Sequence, residues 1–330
     1  MPLPLDRGAS LGRSCAGPAG PSARARGARA RVRLRMIAAG LLVALLGSAC
    51  AAEPSRSDHG PDGSRPHPGQ QAKERTGASG ALAARAERAK RSQAARVAAA
   101  RKWGLTSTPL AAPAPPAVKP QLTTRKGFEV EDGETLPPVF TTVPVTERVV
   151  FLTIDDGTEK DPELLRMMDE LQIPYSAFLS DYVINDNYGY FRQMRDQGVS
   201  LHNHTLNHRY MPGLSYEAQR REICGQQDNL QKLYGKRPAL FRPPYGNYNQ
   251  DTLRAAQGCG VKAVPLWAAE AFPDHMEWRE WDRDLHPGDI ILTHFRGRKD
   301  WQGTMPDMIR QVMKTVTEKG YAVARLEDYV

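Results

Sequence analysis

The sequence predicts an α/β fold on a mainly parallel sheet over residues 126–330, preceded by a tether. Three observations predict it. Strand-like and helix-like stretches alternate through this region, as repeated βα units do. The strand candidates are near-continuous apolar runs, as expected where both faces of a strand are covered. Four of them end in polar, chemically competent residues, where α/β proteins carry their sites. A closed barrel and an open doubly wound sheet both satisfy this pattern.

Charge divides the chain before any element is assigned. The whole sequence carries +8, but residues 1–49 hold eight arginines against one aspartate, and residues 50–126 hold fourteen Lys and Arg against five acids. Residues 127–330 are left with 23 Lys and Arg against 31 Asp and Glu. The folded part is acidic, which argues against a nucleic-acid partner. Residues 1–49 read as a signal peptide: arginine-rich "RARVRLR", the short apolar run "MIAAGLLVALLG", then "SAC". The apolar run is too short to span a bilayer, which needs about 20 residues. Cys50, directly after "LGSA", resembles the acceptor cysteine of bacterial lipoproteins, with plain cleavage near Cys50 as the alternative. Export to the outer face of the membrane, or secretion, follows. With Cys15 removed and Cys50 lipidated, Cys224 and Cys259 remain as a pair in an oxidising compartment, where a disulfide is expected.

Residues 50–125 read as a basic tether. Positions 51–80 are rich in Pro, Gly, Ser and charge. Positions 81–103 have high helix propensity but no continuous apolar stripe, so a solvated helix or a disordered spacer is expected. "STPLAAPAPPAVKP" at 107–120 is a stiff Pro-rich linker, which puts the boundary of the folded domain near 125.

Alternation begins after that boundary. "RVVFLTI" (148–154) is an apolar, β-branched strand, and helix-like "DPELLRMMDELQ" follows. Next come strand-like "YSAFL", a helix over "YGYFRQMRDQG" closed by Gly198, and strand-like "VSLHN". A longer helix runs from the N-cap Ser215 to Gly235. "LFR", "VKAVPLW", "DIILTHF" and "YAVARL" supply further strands, with helices over 249–260 and 304–320 between them. Neither G-x-G-x-x-G nor G-x-x-x-x-G-K-[ST] follows the first strand, so no nucleotide-phosphate loop is expected there.

The strand ends carry the chemistry. The first ends in "TIDDG", with Asp155 and Asp156 adjacent; alone, such a pair also fits a helix-capping turn. "SLHNHTLNH" places three of the eight histidines within seven residues. His204 and His208 share a face on a helical turn, and His202 and His204 share one on a strand. Asp156 with His204 and His208 makes a two-His, one-carboxylate set suited to a zinc-class divalent ion with open positions. Such an ion lowers the pKa of bound water and polarises a carbonyl. The pair lacks the Glu of H-E-x-x-H, leaving Asp155 as general base and His294 of "LTH" as general acid.

"TIDDG", "HTLNH", "RPPYG" and "LTH", in this order, resemble the motifs of the polysaccharide deacetylases, the NodB-homology group or carbohydrate esterase family four. The resemblance covers roughly residues 140–330. It implies a distorted, incomplete (β/α) barrel and removal of acetyl groups, mostly N-linked, from chitin-like, peptidoglycan-like or xylan polymers. It implies Asp155 as base, Asp156, His204 and His208 as ligands of a divalent metal (zinc first, then cobalt, nickel or manganese), and His294 as acid. Arg242 would orient the base, and the Tyr245 backbone N–H would bind the oxyanion. His202 has no counterpart and reads as structural.

The chain departs from the family pattern at the fourth motif. A "D-x-x-D-W" type segment is usual, and this chain has "LWAAEAF". Trp267 fits a wall of the leaving-group pocket, and equally the core. Glu270 is the one nearby acid available to tether Arg242. The expected protein is a monomeric hydrolase acting on acetylated polysaccharide, anchored to the membrane by lipid, with no nucleic-acid partner. The alternative is a carbohydrate-binding protein on the same fold with weakened catalysis. A serine esterase is disfavoured because no G-x-S-x-G elbow occurs.

Overall fold

The structure is a computed structural model that describes residues 68–330. The expected signal segment 1–49 and Cys50 lie outside the described residues. In chain order the elements are α1 (Pro68–Lys102), β1 (Val139–Phe140), β2 (Val149–Asp156), α2 (Pro162–Leu171), β3 (Ser176–Leu179), α3 (Asp181–Ile184), α4 (Tyr188–Asp196), β4 (Ser200–Asn203) and α5 (Tyr216–Tyr234). Then follow α6 (Gln250–Gly258), β5 (Val264–Pro265), β6 (Ala269–Ala271), β7 (Met276–Trp278), β8 (Ile290–His294), α7 (Met305–Glu318) and β9 (Ala322–Val323).

β2 is the central strand, and all eight of its residues are buried, as its unbroken apolar run requires. It pairs in parallel with β3 on one side and β8 on the other, β4 extends the sheet beyond β3, and β6 extends it beyond β8. β7 adds an antiparallel edge, and β9 pairs with the start of β2. The sheet curls into a distorted barrel. Single parallel bridges link Asn203 to Phe241 and Leu240 to Ala263, β5 pairs with β1, and Thr142 bridges Asp289 beside β8. The seam is therefore made of bridges and short strands. Of the expected strand "VKAVPLW" only Val264–Pro265 forms a ladder, with Val264 and Leu266 donating to the carbonyls of Pro138 and Phe140. The barrel is filled by Phe140, Phe151, Phe178, Leu240, Ile290 and Leu326. α2, α4 and α7 bury their apolar stripes on the outside, and Ser215 caps α5 as its sequence signal predicts. A disulfide joins Cys224 of α5 to Cys259 at the end of α6.

The segment expected as a tether is not free throughout. Arg96 of α1 is 7% exposed and donates to the carbonyls of Leu171, Pro109 and Leu110. Ala99 and Ala100 are buried in the main core, and Lys102 and the Trp103 indole both hold Glu170. Leu110 bridges Ala322, and Lys119 donates to the Glu327 carbonyl. The contact is carried by two alanines and one buried arginine, a patch too small to register as an apolar stripe. Contact with the domain is thus in place by Ser92, whose hydroxyl donates to Gln172 Oε1 at 2.7 Å, well before the boundary expected near 125.

Candidate active site

All of the strand ends singled out above lie on one rim, because parallel pairing aligns them. The register places Asp155 opposite both Phe178 and His294. β4 runs parallel to β3 and delivers His204 just beyond its end. A cavity of about 310 Å³ opens there, lined by Asp155, Asp156, His204, His208, Trp267, Glu270 and His294. Backbone strain concentrates at this rim. Of seven described non-glycine residues with positive φ, four belong to the site: Asp156, Thr205, His208 and Tyr245. Asp156 turns the chain out of the strand, and Gly157 follows at φ 103° where a Cβ would meet Ile184 at 2.4 Å.

His204 and His208 sit on neither a helix nor a strand. A tight turn carries them, and its hydrogen bonds are specific. Asn203 Oδ1 accepts the Thr205 N–H at 2.8 Å, and Thr205 Oγ1 accepts the His208 N–H at 3.0 Å. Glu222 of α5 takes both the N–H and the side-chain amide of Asn207. The His204 ring uses Nδ1–H to donate to the Arg242 carbonyl at 2.7 Å, which leaves the Nε2 lone pair facing the cavity. His204 Nε2 and His208 Nε2 lie 3.5 and 3.3 Å from the same oxygen, Asp156 Oδ1.

One ligand atom from each of Asp156, His204 and His208 lies within 4.8 Å of the other two. Asp156 Oδ1 is buried and has no hydrogen-bond partner. Burial pushes the Asp156 carboxyl up, but the close approach of His204, with His294 and His208 beyond it, outweighs burial and holds it well below the usual range. Burial and the charge of His204 push His208 down to about 4, so its ring is neutral at pH 7. An orphaned carboxylate oxygen beside two imidazole nitrogens fits a divalent cation of the zinc class.

Arg242 is fully buried and lies over the Phe178 ring. Its Nη1 donates to Asp155 Oδ1 at 2.7 Å and to Thr153 Oγ1 at 3.0 Å. Its Nε donates to the Pro265 carbonyl and its Nη2 to the Leu266 carbonyl. The expected tether through Glu270 is therefore corrected: two backbone carbonyls and Thr153 hold the fork. Glu270 Oε1 faces His294 Nδ1 at 3.3 Å. The reason is register. Glu270 pairs with Leu292 across β6 and β8, and Leu292 and His294 share a face. Burial, followed by the charges of Glu277 and Asp155, raises the Glu270 carboxyl to about 7.

Tyr245 occupies a turn over Pro244–Gly246, packs on His208 and leaves 60% of its surface exposed. Trp267 walls the cavity, with the Gly246 turn close to its ring and the Arg279 guanidinium over its face. His202 stays out of the site: its Nε2 meets Glu327 Oε1 at 2.6 Å inside the barrel. Sequence reasoning missed Thr153, Asn203, Glu222 and Arg296. Arg296 sits two positions after His294, just past the end of "LTH".

A family model described as polysaccharide deacetylase matches residues 142–264. An uncharacterized protein of Streptomyces coelicolor is 40% identical over 203 residues, covering 61% of this chain and 81% of that protein. This chain belongs to the polysaccharide deacetylase family. Among its relatives in that family is a peptidoglycan-N-acetylglucosamine deacetylase of Bacillus cereus, 26% identical, covering 56% of this chain and 90% of the relative. A peptidoglycan-N-acetylmuramic acid deacetylase of Bacillus subtilis, PdaC, is 29% identical, covering 57% of this chain and 40% of its own length. Of solved structures, a carbohydrate esterase family four pseudoenzyme from Bacillus anthracis superposes with a TM-score of 0.50 at 18% identity, covering 61% of this chain and 72% of that one. At that identity the likeness establishes the fold alone. The deacetylase family is one of acetyl-removing hydrolases of polysaccharides, and the cavity described above belongs to its fold.

Proposed function

We propose that this deacetylase removes N-linked acetyl groups from a cell-wall glycan outside the cytoplasm, with one divalent ion per chain. The observation that carries the reading is convergence. An arginine-held carboxylate, a three-ligand set and a carboxylate-backed imidazole all face one cavity.

Asp156, His204 and His208 would hold the ion, with zinc as first candidate. When bound, it supplies a Lewis acid for the acetyl carbonyl and a water of lowered pKa. Asp155 takes the proton from the attacking water, its carboxylate fixed by Arg242 and Thr153. His294 returns a proton to the leaving nitrogen. Burial keeps the pKa of its ring below the usual histidine value, so the protonated ring is a stronger acid but a less populated one near pH 7. Glu270 at Nδ1 orients the ring so that Nε2 is the reacting nitrogen. The Tyr245 backbone N–H assists at the developing oxyanion, and Trp267 walls the acetyl pocket. The binding-protein alternative drew on the altered fourth motif. The Glu270–His294 pair supports the enzyme reading, because that motif still delivers a carboxylate to the acid. Export rests on the sequence of residues 1–49, and the membrane anchor on Cys50.

Acetate release tests this directly. Peptidoglycan strands, chitin oligomers and acetylxylan are incubated with the protein, with and without a chelator. Release from the N-acetylated glycans that is abolished by chelator and restored by zinc is expected. Release that ignores the chelator, or release from acetylxylan alone, would reject the proposal.

A further inference from the structure

None of the roles above uses Arg296. It lies two residues past the end of β8, and its neighbour Phe295 is fully buried against Phe191. Phe295 is anchored in the core, and Arg296 after it lines the catalytic cavity. Its Nη2 is 3.7 Å from Asp156 Oδ2, beyond hydrogen-bond reach, and its side chain is 43% exposed. Among the described residues the guanidinium donates no hydrogen bond. Two other guanidinium groups in this region do not line the cavity and are engaged. Arg242 gives four hydrogen bonds to protein acceptors, and Arg279 is stacked on the Trp267 indole. Arg296 therefore presents a half-exposed cation, in a loose ion pair with Asp156 and donating no hydrogen bond, beside the place where substrate must sit.

A neutral sugar offers hydroxyls, which need no cation. A carboxylate matches the planar fork with two parallel charge-assisted hydrogen bonds. We propose that Arg296 is a specificity residue that binds a carboxylate carried by the substrate close to its acetyl group, so that the preferred glycan is built on an acidic N-acetylated amino sugar. This rests on the deacetylase reading of the site.

The test uses the zinc-loaded full chain and peptide-free peptidoglycan strands, either native or with their muramic carboxylates reduced to alcohols. Wild-type kcat/KM should fall about tenfold on reduction of the carboxylates. Arg296→Gln should lose about tenfold on native strands and change little on reduced strands, with metal content unchanged. Arg296→Lys should keep part of the preference, having the charge without the fork. Equal wild-type activity on both strands overturns the proposal. So does an equal loss by Arg296→Gln on both, which would mark a residue that merely positions Asp156. Calorimetric binding by an Asp155→Asn variant separates this proposal from the reading beneath it. If no strand yields acetate but the native strand binds more tightly, and Arg296→Gln removes that difference, recognition stands and the deacetylase reading fails. Equal binding of the two strands removes the role of Arg296.

Discussion

Asp155 and Asp156 are identical side chains in successive positions, and their surroundings divide them. On a regular strand they would point to opposite faces. The positive φ of Asp156 breaks the alternation, so both line one cavity. Arg242 and Thr153 hold Asp155, while the two histidines converge on Asp156 Oδ1. The expected consequence is a clean separation of effects. His204→Ala or His208→Ala should lose the metal, whereas Asp155→Asn should retain it and lose nearly all turnover. Elemental analysis beside acetate assays reads both; metal loss in Asp155→Asn would mean that the two aspartates have exchanged roles. Glu270→Gln removes the carboxyl group behind His294 and leaves the Arg242 contacts intact. It should lower kcat more than it changes KM, by less than Asp155→Asn, with metal content constant. An unchanged kcat would leave Glu270 no part in orienting the acid.

At the scale of elements, two cross-links fix pieces that strand pairing holds only loosely. The Cys224–Cys259 disulfide spans 35 residues and ties α5, whose Glu222 braces the histidine turn, to α6. A loop of that length stabilises by roughly 3–4 kcal/mol in the chain-entropy model. The double Cys→Ser variant should lose about that much in urea denaturation, and a loss under about 1 kcal/mol would show that packing alone holds the helices. The second cross-link is His202–Glu327, which pins the C-terminal turn Leu326–Asp328 beneath the barrel, with Ser176 donating to the same oxygen. Burial opposes the charged Glu327, but its hydrogen bond to His202, the charge of His202 and the Ser176 bond outweigh it and hold the carboxyl below its usual range. A folded-state pKa below the unfolded one adds stability that is present above the unfolded glutamate value, about 4.3, and is lost as pH falls through the folded value. Glu327→Gln should therefore lower Tm at pH 7, and the gap to wild type should close as the pH is taken below the carboxylate range. A gap that stays constant down to pH 3 would assign the loss to packing.

For the molecule as a whole, the docked segment is the main departure from expectation. Arg96, Ala99, Leu110 and Lys119 hold residues 96–119 against the lower end of the barrel. A chain beginning at residue 126 would strip these contacts and leave the Leu171 carbonyl and the Glu170 side chain without their partners. It should melt several degrees below a chain beginning at residue 83, since each lost kcal/mol shifts Tm by about 2–4 °C at this size. Coincident melting curves would show that the segment only rests on the domain.

The sequence by itself determined the fold class and the identity of the reacting groups. Apolar runs such as "RVVFLTI" mark buried parallel strands, and the polar residues at their ends mark the rim, because both signals are local and repeat along the chain. It also supplied the family, through four short motifs whose order and chemistry agree. The tertiary structure alone decided what each group touches. Nothing near Glu270 in the chain indicates that it faces His294 and not Arg242; the pairing of β6 with β8 settles it. The carbonyls of Pro265 and Leu266 that hold Arg242 are invisible to any reading of side chains. Arg96 reads as one more charge on a polar helix until its partners arrive from Leu171 and Pro109. In each case the deciding contact joins residues far apart in sequence. Its geometry follows from strand register and core packing, which depend on the whole set of non-local side chains and leave no trace in a local pattern.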